Sequence, residues 1–563
     1  MSYSVRTTQI NGLTKKGHSD ATPKLRGIAI GPVMSRVFDL VINNRLCEWY
    51  RPNYHQAGFR KKQGCILQIF ALFLSLELAI DEGSTLYICL LDYEKAFDYT
   101  NRAEIAKDLM NSGIGDKFLR NFAYSNLNTY YVPKDEFNKV GNPIHTKHGV
   151  TQGKTSSANL FSYYVSDMHE AVEDGSEGGN IRLLQLADDT TILSNNLVTL
   201  TKKVRDICSY SNKKHLVINM DKTKYMEMSK NPKLDSLKIV NDVTVEAVDY
   251  TAGYNWLGFN LSYAGKVEEL VRHNLNKKLF NICKFYNWLD VNETTPIKLK
   301  LNVLYSCMFE AILYSCEVWG DINLIIDQLL KIERSALKRI LCVRKSIPDD
   351  IIYCEIKRPD ISAIILERQY NFIQKLISLS EDDAVAKCIW SYSGRRFLQK
   401  SSHKCLFNHY STLQPNTKKK NMEERRRRLL NSNQTMCTRY RSLCGIDNQC
   451  TMYNHMIDDT HRMIITRWRL SCHKLCIETG RYKRPKVERE SRLCIACQLV
   501  EDEYHALFIC KAHRNIRLKY SVLLDKYDTV FKLLNPSGSN DLITTSCYIR
   551  EIEDNMDLLN MVQ

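Results

Sequence analysis

The sequence predicts an α+β N-terminal half followed by an almost wholly helical C-terminal half. Strand-length apolar runs and helical stretches mix irregularly up to about residue 262. Beyond it, apolar residues recur at helical spacing, most clearly from Ile322 to Leu341. Two acidic clusters also each follow a β-forming run. Leu90-Leu91-Asp92-Tyr93-Glu94-Lys95-Ala96-Phe97-Asp98 follows the run from Leu86, and Leu186-Ala187-Asp188-Asp189-Thr190 the run from Ile181. A carboxylate at the tip of a buried strand does little for folding but is well placed to hold a divalent cation. Two such tips side by side suit a pair of Mg²⁺ ions about 3.5–4 Å apart, the arrangement of polymerases and nucleases. Turn acids are the plain alternative for either cluster alone; the ordered pair favours the metal.

The elements follow in order. Residues 1–25 are polar and read as loosely ordered. A short strand and an amphipathic helix are expected between Arg26 and Leu46. A basic loop follows, then an apolar helix from Cys65 to Ile80 that ends near Gly83. Asn101-Arg102-Ala103-Glu104 resembles a capping box opening a helix, and a second helix starts near Asp116. Gly149 to Phe161 is a Gly/Ser-rich turn running into an aromatic helix. Ile181 to Ser194 reads as two strands joined at Asp188-Asp189. A helix from Val198 to Asn212, a strand from His215 to Ile218 and an aromatic strand from Tyr254 to Phe259 come next. The charged stretch from Gln414 to Arg428 is the best linker candidate; a solvated tether, phosphate contact and nuclear import are all readings of its basic runs.

Composition bounds the function. The 563 residues are 44% hydrophobic and carry a net charge of +16, which favours a polyanionic partner such as nucleic acid. The apolar helix is too short to span a bilayer. Met1 to Lys16 has no apolar core of a signal peptide. An intracellular protein, nuclear or cytoplasmic and not secreted, is therefore expected, its 20 cysteines reduced apart from one metal-binding subset.

The N-terminal half resembles the reverse transcriptase of non-LTR (LINE-type) retrotransposons. Arg26-Gly27-Ile28 and Gln56-Ala57-Gly58-Phe59-Arg60 are similar to two fingers elements. Asp92 to Asp98, Gly149-Val150-Thr151-Gln152-Gly153 with Leu160-Phe161, and Ala187-Asp188-Asp189 match three palm motifs in order. Asn219 to Lys224 resembles a fourth, and Trp256-Leu257-Gly258 the primer grip. The resemblance covers about residues 18–345. It implies a right-hand polymerase, with fingers and an antiparallel palm sheet in residues 1–262 and a helical thumb in 263–345. A helical connection with a basic linker (346–430) and a helical C-terminal region (431–563) would follow.

The resemblance also implies an RNA-directed DNA polymerase using two Mg²⁺ ions, possibly Mn²⁺ in vitro, with an RNA template, a DNA primer or target and dNTPs as partners. Asp92 and Asp188 are then the bridging ligands, Asp189 a supporting one, and Tyr93 a backbone-carbonyl ligand; Asp98 is structural. Phe97 is expected to exclude the 2′-hydroxyl of an incoming ribonucleotide, with core packing as its plain alternative. Arg26 and Arg60 are candidate triphosphate contacts, Gln152 and Gly153 lie under the nascent base pair, and Lys222 is a candidate proton donor to pyrophosphate. The sequence departs from the family at Leu186, where Tyr or Phe is usual, at Lys154 to Asn159, which lacks a Ser-Pro pair, and at Lys62 to Cys65. An element protein lacking the N-terminal endonuclease domain and an appended RNase H is expected. A truncated or domesticated, catalytically silent nucleic-acid-binding protein is the competing expectation.

Near the C-terminus, Cys494, Cys497, His505 and Cys510 read Cys-x2-Cys-x7-His-x4-Cys. Three thiolates and an imidazole suit a closed tetrahedral Zn²⁺ site, with His513 a competing fourth ligand. The segment 494–510 also resembles the C-terminal zinc segment of the same elements, with Arg481, Lys483, Arg484, Lys486 and Arg489 supplying charge for nucleic acid.

Overall fold

The structure, a computed structural model, describes residues 7–14, 25–127, 129–134, 140–172, 181–229, 235–240, 243–262, 267–319, 322–397, 409–410, 412–445, 452–455 and 457–561. The chain forms two compact units. One comprises residues 1–274, 317–320 and 371–412, the other residues 275–316, 321–370 and 413–563.

The first unit is built on a six-stranded sheet of β3 (Leu86–Leu91), β6 (Ile181–Leu186), β7 (Asp189–Ser194), β8 (Lys224–Met228), β9 (Leu237–Val240) and β10 (Val243–Ala247), in the order β6-β7-β3-β8-β10-β9. All neighbours are antiparallel except β8 and β10. A second sheet holds β1 (Thr7–Thr14), β2 (Leu25–Ile30), β4 (Thr129–Lys134) and β5 (Ile144–Thr146), ordered β2-β1-β4-β5. Helices α1 (Val33–Trp49), α2 (Cys65–Glu82), α3 (Arg102–Asn111), α4 (Ser156–Tyr164) and α5 (Leu197–Lys213) belong to this α+β unit.

Local chemistry explains most of these elements. The apolar α2 is buried along most of its length and ends at Gly83, whose φ of 66° closes the helix in the left-handed region. Asn101 accepts from the amides of Ala103 and Glu104, half of the expected capping box, while Glu104 instead accepts from the Tyr164 hydroxyl at 3.0 Å. Helix α4 lacks a Ser-Pro start, and Asp39 of α1 takes that place by accepting from the Ser156 amide at 3.0 Å and from its hydroxyl. The helix Val385–Phe397, far along the chain, belongs to this unit, where Phe70 of α2 meets Phe372, Trp390 and Tyr410 at ring-centroid distances of 5.0, 5.8 and 5.6 Å.

Several expectations change. Thr7–Thr14, expected to be loose, is a strand. His215–Ile218 is not one: His215 has a φ of 54°, and only Ile218 bridges, to Tyr93. Tyr254 to Phe259 spans a hairpin, β11 (Tyr254–Trp256) and β12 (Phe259–Leu261), because Leu257 and Gly258 both take positive φ, as a tight two-residue turn requires.

The second unit is helical. The expected linker is the helix Thr417–Asn431. Its Arg425 is buried, paired with Asp350 at 2.7 Å and with Asp360, and lies 4.0 Å over the Tyr353 ring. Glu333, fully buried, accepts from the hydroxyls of Tyr305 and Tyr353, each at 2.7 Å, and from the Ile361 amide at 3.0 Å. Glu355 is likewise buried against Arg469 at 2.7 Å and the hydroxyls of Tyr440 and Tyr453. No described helix is long and apolar enough to cross a membrane.

Candidate active site and metal centre

The acidic clusters meet because of strand register. Leu91, the last residue of β3, pairs with Thr190 of β7, and Leu186 of β6 pairs with Asp189. Asp92 therefore leaves β3 beside the turn that carries Asp188 and Asp189. Partial burial, with the Asp188 and Asp92 carboxylates adding repulsion, pushes the Asp189 carboxyl up to about 6, although the residue as a whole is exposed. Among the described residues Asp92 Oδ2 is buried without a hydrogen bond; Lys222 Nζ lies 3.1 Å away, an ion pair lacking hydrogen-bond alignment. Crowded carboxylates with an unsatisfied buried oxygen are a donor set suited to hard divalent cations.

The neighbours of Asp92 fix its backbone. Its amide donates to Thr223 Oγ1 at 3.2 Å, and its carbonyl accepts from the Asn219 amide at 2.8 Å. The Tyr93 hydroxyl is buried and hydrogen-bonded to Ser211 Oγ at 3.0 Å. Lys222 is thus placed against Asp92, with its side chain still 64% exposed. Tyr254 is a neighbour that the sequence reading missed. Burial, with Asp92 and Asp189 adding charge, pushes its hydroxyl up to about 12.

Phe97 stacks on Phe161 at a centroid distance of 4.7 Å and stays partly exposed, so it packs on the core and still offers a face. Its carbonyl accepts from the Val150 amide at 2.7 Å. The loop that follows is held by Arg102, a buried guanidinium that donates to neutral carbonyl and hydroxyl oxygens. Arg102 donates to the carbonyls of Gly149, Asn126 (2.7 Å), Thr146 (3.1 Å) and His148 (2.9 Å), and to the hydroxyls of Tyr131 and Thr146, both at 3.3 Å. Gly149 needs its freedom, since its φ is 81° and a Cβ would lie 2.8 Å from the Asp98 carbonyl. Gly153 does allow a close approach, but to β2: a Cβ there would lie 2.4 Å from the Ala29 carbonyl oxygen, and Gln152 O accepts from the Ala29 amide.

Arg60 spends its Nη1 on the carbonyls of Asn53, Gln56 and Asp383, which ties the loop down instead of leaving that nitrogen for a triphosphate. The Arg26 backbone lies in β2 opposite Leu13; its side chain is outside the described residues. Trp256 is buried in the β11–β12 hairpin, with Leu257 and Gly258 at its turn.

In the other unit, Cys494, Cys497, His505 and Cys510 offer ligand atoms all within 4.8 Å of one another. A small hairpin makes this possible: the Cys494 amide donates to Leu499 O, and Leu493 bridges Val500. His505 Nε2 is buried without a hydrogen bond and so is available to a metal held by the three thiols. His513 is held apart, its Nδ1 at 2.9 Å from Asn555 Nδ2. Lys483, Arg484, Lys486 and Arg489 are exposed, whereas Arg481 pairs with Glu478 at 3.2 Å.

Residues 13–261 match the family described as reverse transcriptase (RNA-dependent DNA polymerase). This is a reverse transcriptase domain. Over 407 residues the chain is 22% identical to the retrovirus-related Pol polyprotein from type-1 retrotransposable element R2 of Popillia japonica. That match covers 69% of this chain and 55% of the relative, so the chain spans about half the relative's length. Among solved structures, apo telomerase from Candida tropicalis, truncated from its C-terminal domain, is 16% identical over 44% of this chain and 55% of that one, with a TM-score of 0.33. Telomerase from Candida albicans in complex with a telomeric RNA fragment is 14% identical over 74% and 66%, with a TM-score of 0.36.

Proposed function

We propose that this chain is an RNA-directed DNA polymerase of a LINE-type element, extending a DNA primer on an RNA template with dNTPs inside the cell. The observation that carries the reading is the union of Asp92 with the Asp188-Asp189 turn, with a buried carboxylate oxygen unsatisfied. Asp92 and Asp188 would hold a pair of Mg²⁺ ions, with Asp189 and the Tyr93 carbonyl in support. Such ions activate a primer hydroxyl and neutralise the charge on departing pyrophosphate. Lys222 keeps Asp92 compensated before a cation arrives and, being exposed, is free to swing toward the leaving phosphate. The exposed part of the Phe97 ring would stand where an incoming sugar passes. Trp256, Leu257 and Gly258 grip the primer, and Gln152 and Gly153 back the new base pair. Cys494, Cys497, His505 and Cys510 would hold one structural Zn²⁺, which fixes a basic segment for nucleic acid.

The test is primer extension on poly(rA)/oligo(dT). Wild-type protein is expected to extend in Mg²⁺, and Asp188→Asn to abolish extension. Folded wild type that binds template but extends nothing refutes the reading and favours a catalytically silent binder.

A further inference from the structure

We propose that Gln56 is a positioning residue that holds the Ala187–Asp188 turn and thereby aims the Asp188 carboxylate. The inference rests on the polymerase reading above. Ala187 has a φ of 59°, a left-handed backbone that a non-glycine residue adopts only at a cost. Two-residue hairpin turns normally assign such a position to glycine or asparagine. Here a side chain compensates. Gln56, 3% exposed, accepts from the Ala187 amide at 2.8 Å through Oε1 and donates to the Ala187 carbonyl at 3.1 Å through Nε2. One amide thus grips both polar groups of a single residue, which fixes both its φ and its ψ.

The grip is itself braced. The Gly58 amide donates to the same Oε1 at 2.8 Å. A Cβ on Gly58 would fall 2.4 Å from the Ala187 nitrogen and 2.7 Å from Gln56 Oε1, so only glycine fits. On either side the chain continues this contact as a short parallel bridge: the Ala57 amide donates to Gln185 O at 2.8 Å and the Gln185 amide to His55 O at 3.0 Å. Gln68 of α2 closes the set by donating to Gln185 O at 3.0 Å. The fingers element around Gln56 is therefore a bracket for the metal-binding turn, and its glutamine and glycine have a task separate from that of Arg60.

Gln56→Met keeps the volume and removes all three bonds. Gln56→Glu keeps the two bonds to Oε1 and loses only the donor to Ala187 O. Two readouts apply: the Mg²⁺ concentration giving half-maximal primer extension, and Mn²⁺ binding followed by electron paramagnetic resonance, with Asp188→Asn as the blank for other sites. Partners that orient metal ligands typically contribute about 10–100-fold in metal affinity. Gln56→Met should raise the Mg²⁺ midpoint and weaken Mn²⁺ binding by about tenfold or more. Gln56→Glu should fall between it and wild type, with the dNTP KM and template affinity unchanged. Unchanged Mg²⁺ and Mn²⁺ midpoints in folded Gln56→Met overturn the proposal, as does lost activity at unchanged midpoints. If Gln56→Met does not fold, Gln56→Glu is judged by the same criteria. A wild type that binds Mn²⁺ through Asp188 yet extends no primer counts against the polymerase reading alone, and the Mn²⁺ midpoints still decide the role of Gln56. A wild type that binds no Mn²⁺ above the blank overturns both.

Discussion

Replacing Arg102 by Met should loosen the loop behind the palm more than any surface change in the domain. The substitution keeps a long flexible side chain and removes every donor. A hydrogen bond to a charged group contributes about 1.5–3 kcal/mol, and a buried acceptor left without a partner costs about 1–3 kcal/mol. Six bonds end on this guanidinium, but they share three nitrogens, and acceptors near the surface can regain water. Counting only the carbonyls of Gly149, Asn126 and His148 at the low end gives about 4–5 kcal/mol. With a urea slope of about 3 kcal/mol per molar for a unit of this size, the midpoint should fall by about 1.5 M. Pulse proteolysis across a urea gradient, read on peptides from residues 86–194, measures that shift without interference from the other unit. Hydrogen exchange at Gly149 and Val150 should lose protection in parallel. Arg102→Lys should recover only part, because an ammonium offers its donors from one point and not from a planar fork. A midpoint within about 0.3 M of wild type would show that these bonds are replaceable by water, and the account of Arg102 would fail.

Other predictions follow from the same geometry. Phe97→Val should admit ribonucleotides, raising the ratio of rNTP to dNTP kcat/KM by at least about tenfold; an unchanged ratio would leave Phe97 as packing only. Burial pushes the Glu333 carboxyl up to about 7 against an ordinary 4.5, despite hydrogen bonds from Tyr353, the Ile361 amide and Tyr305 that favour its charged form. Its stabilising contribution is therefore complete below pH 4.5 and lost as pH rises through 7. Glu333→Gln should flatten that dependence and gain stability relative to wild type between pH 5 and 8, measured as urea midpoints on peptides of the second unit. Elemental analysis should find about one zinc per chain in wild type and close to none in a Cys497→Ser, Cys510→Ser double variant; zinc retained in the variant would move the site elsewhere.

The palm was legible because its chemistry is local in sequence. A strand, a turn and an acid occupy a few consecutive residues, so Asp92, Asp188 and Asp189 could be named from their runs, and the register of β3, β6 and β7 brings them together. The grouping of Cys494, Cys497, His505 and Cys510 was legible for the same reason. What escaped was action at a distance. Gln56 reaches residue 187, Arg102 reaches residues 126 to 149, and Asp39 caps a helix that starts at residue 156. No spacing rule connects such positions. The basic stretch misled for a different reason. Charge runs read as solvated tethers, but the helical period turns Arg425 inward onto Asp350 and Asp360 while Arg426 and Arg427 stay exposed.

The aromatic cluster on α2 sets a timetable for synthesis. Phe70 emerges from the ribosome long before Phe372, Trp390 and Tyr410, its partners within the same unit. At about 5–20 residues per second, the wait for roughly 300 residues lasts on the order of 15–60 s. From the moment residue 189 is out, the nascent domain holds all three palm aspartates, yet it still presents one uncovered apolar flank of α2 to its surroundings. A transcript cut short in this stretch would yield a protein with all three aspartates and a sticky flank, prone to aggregate.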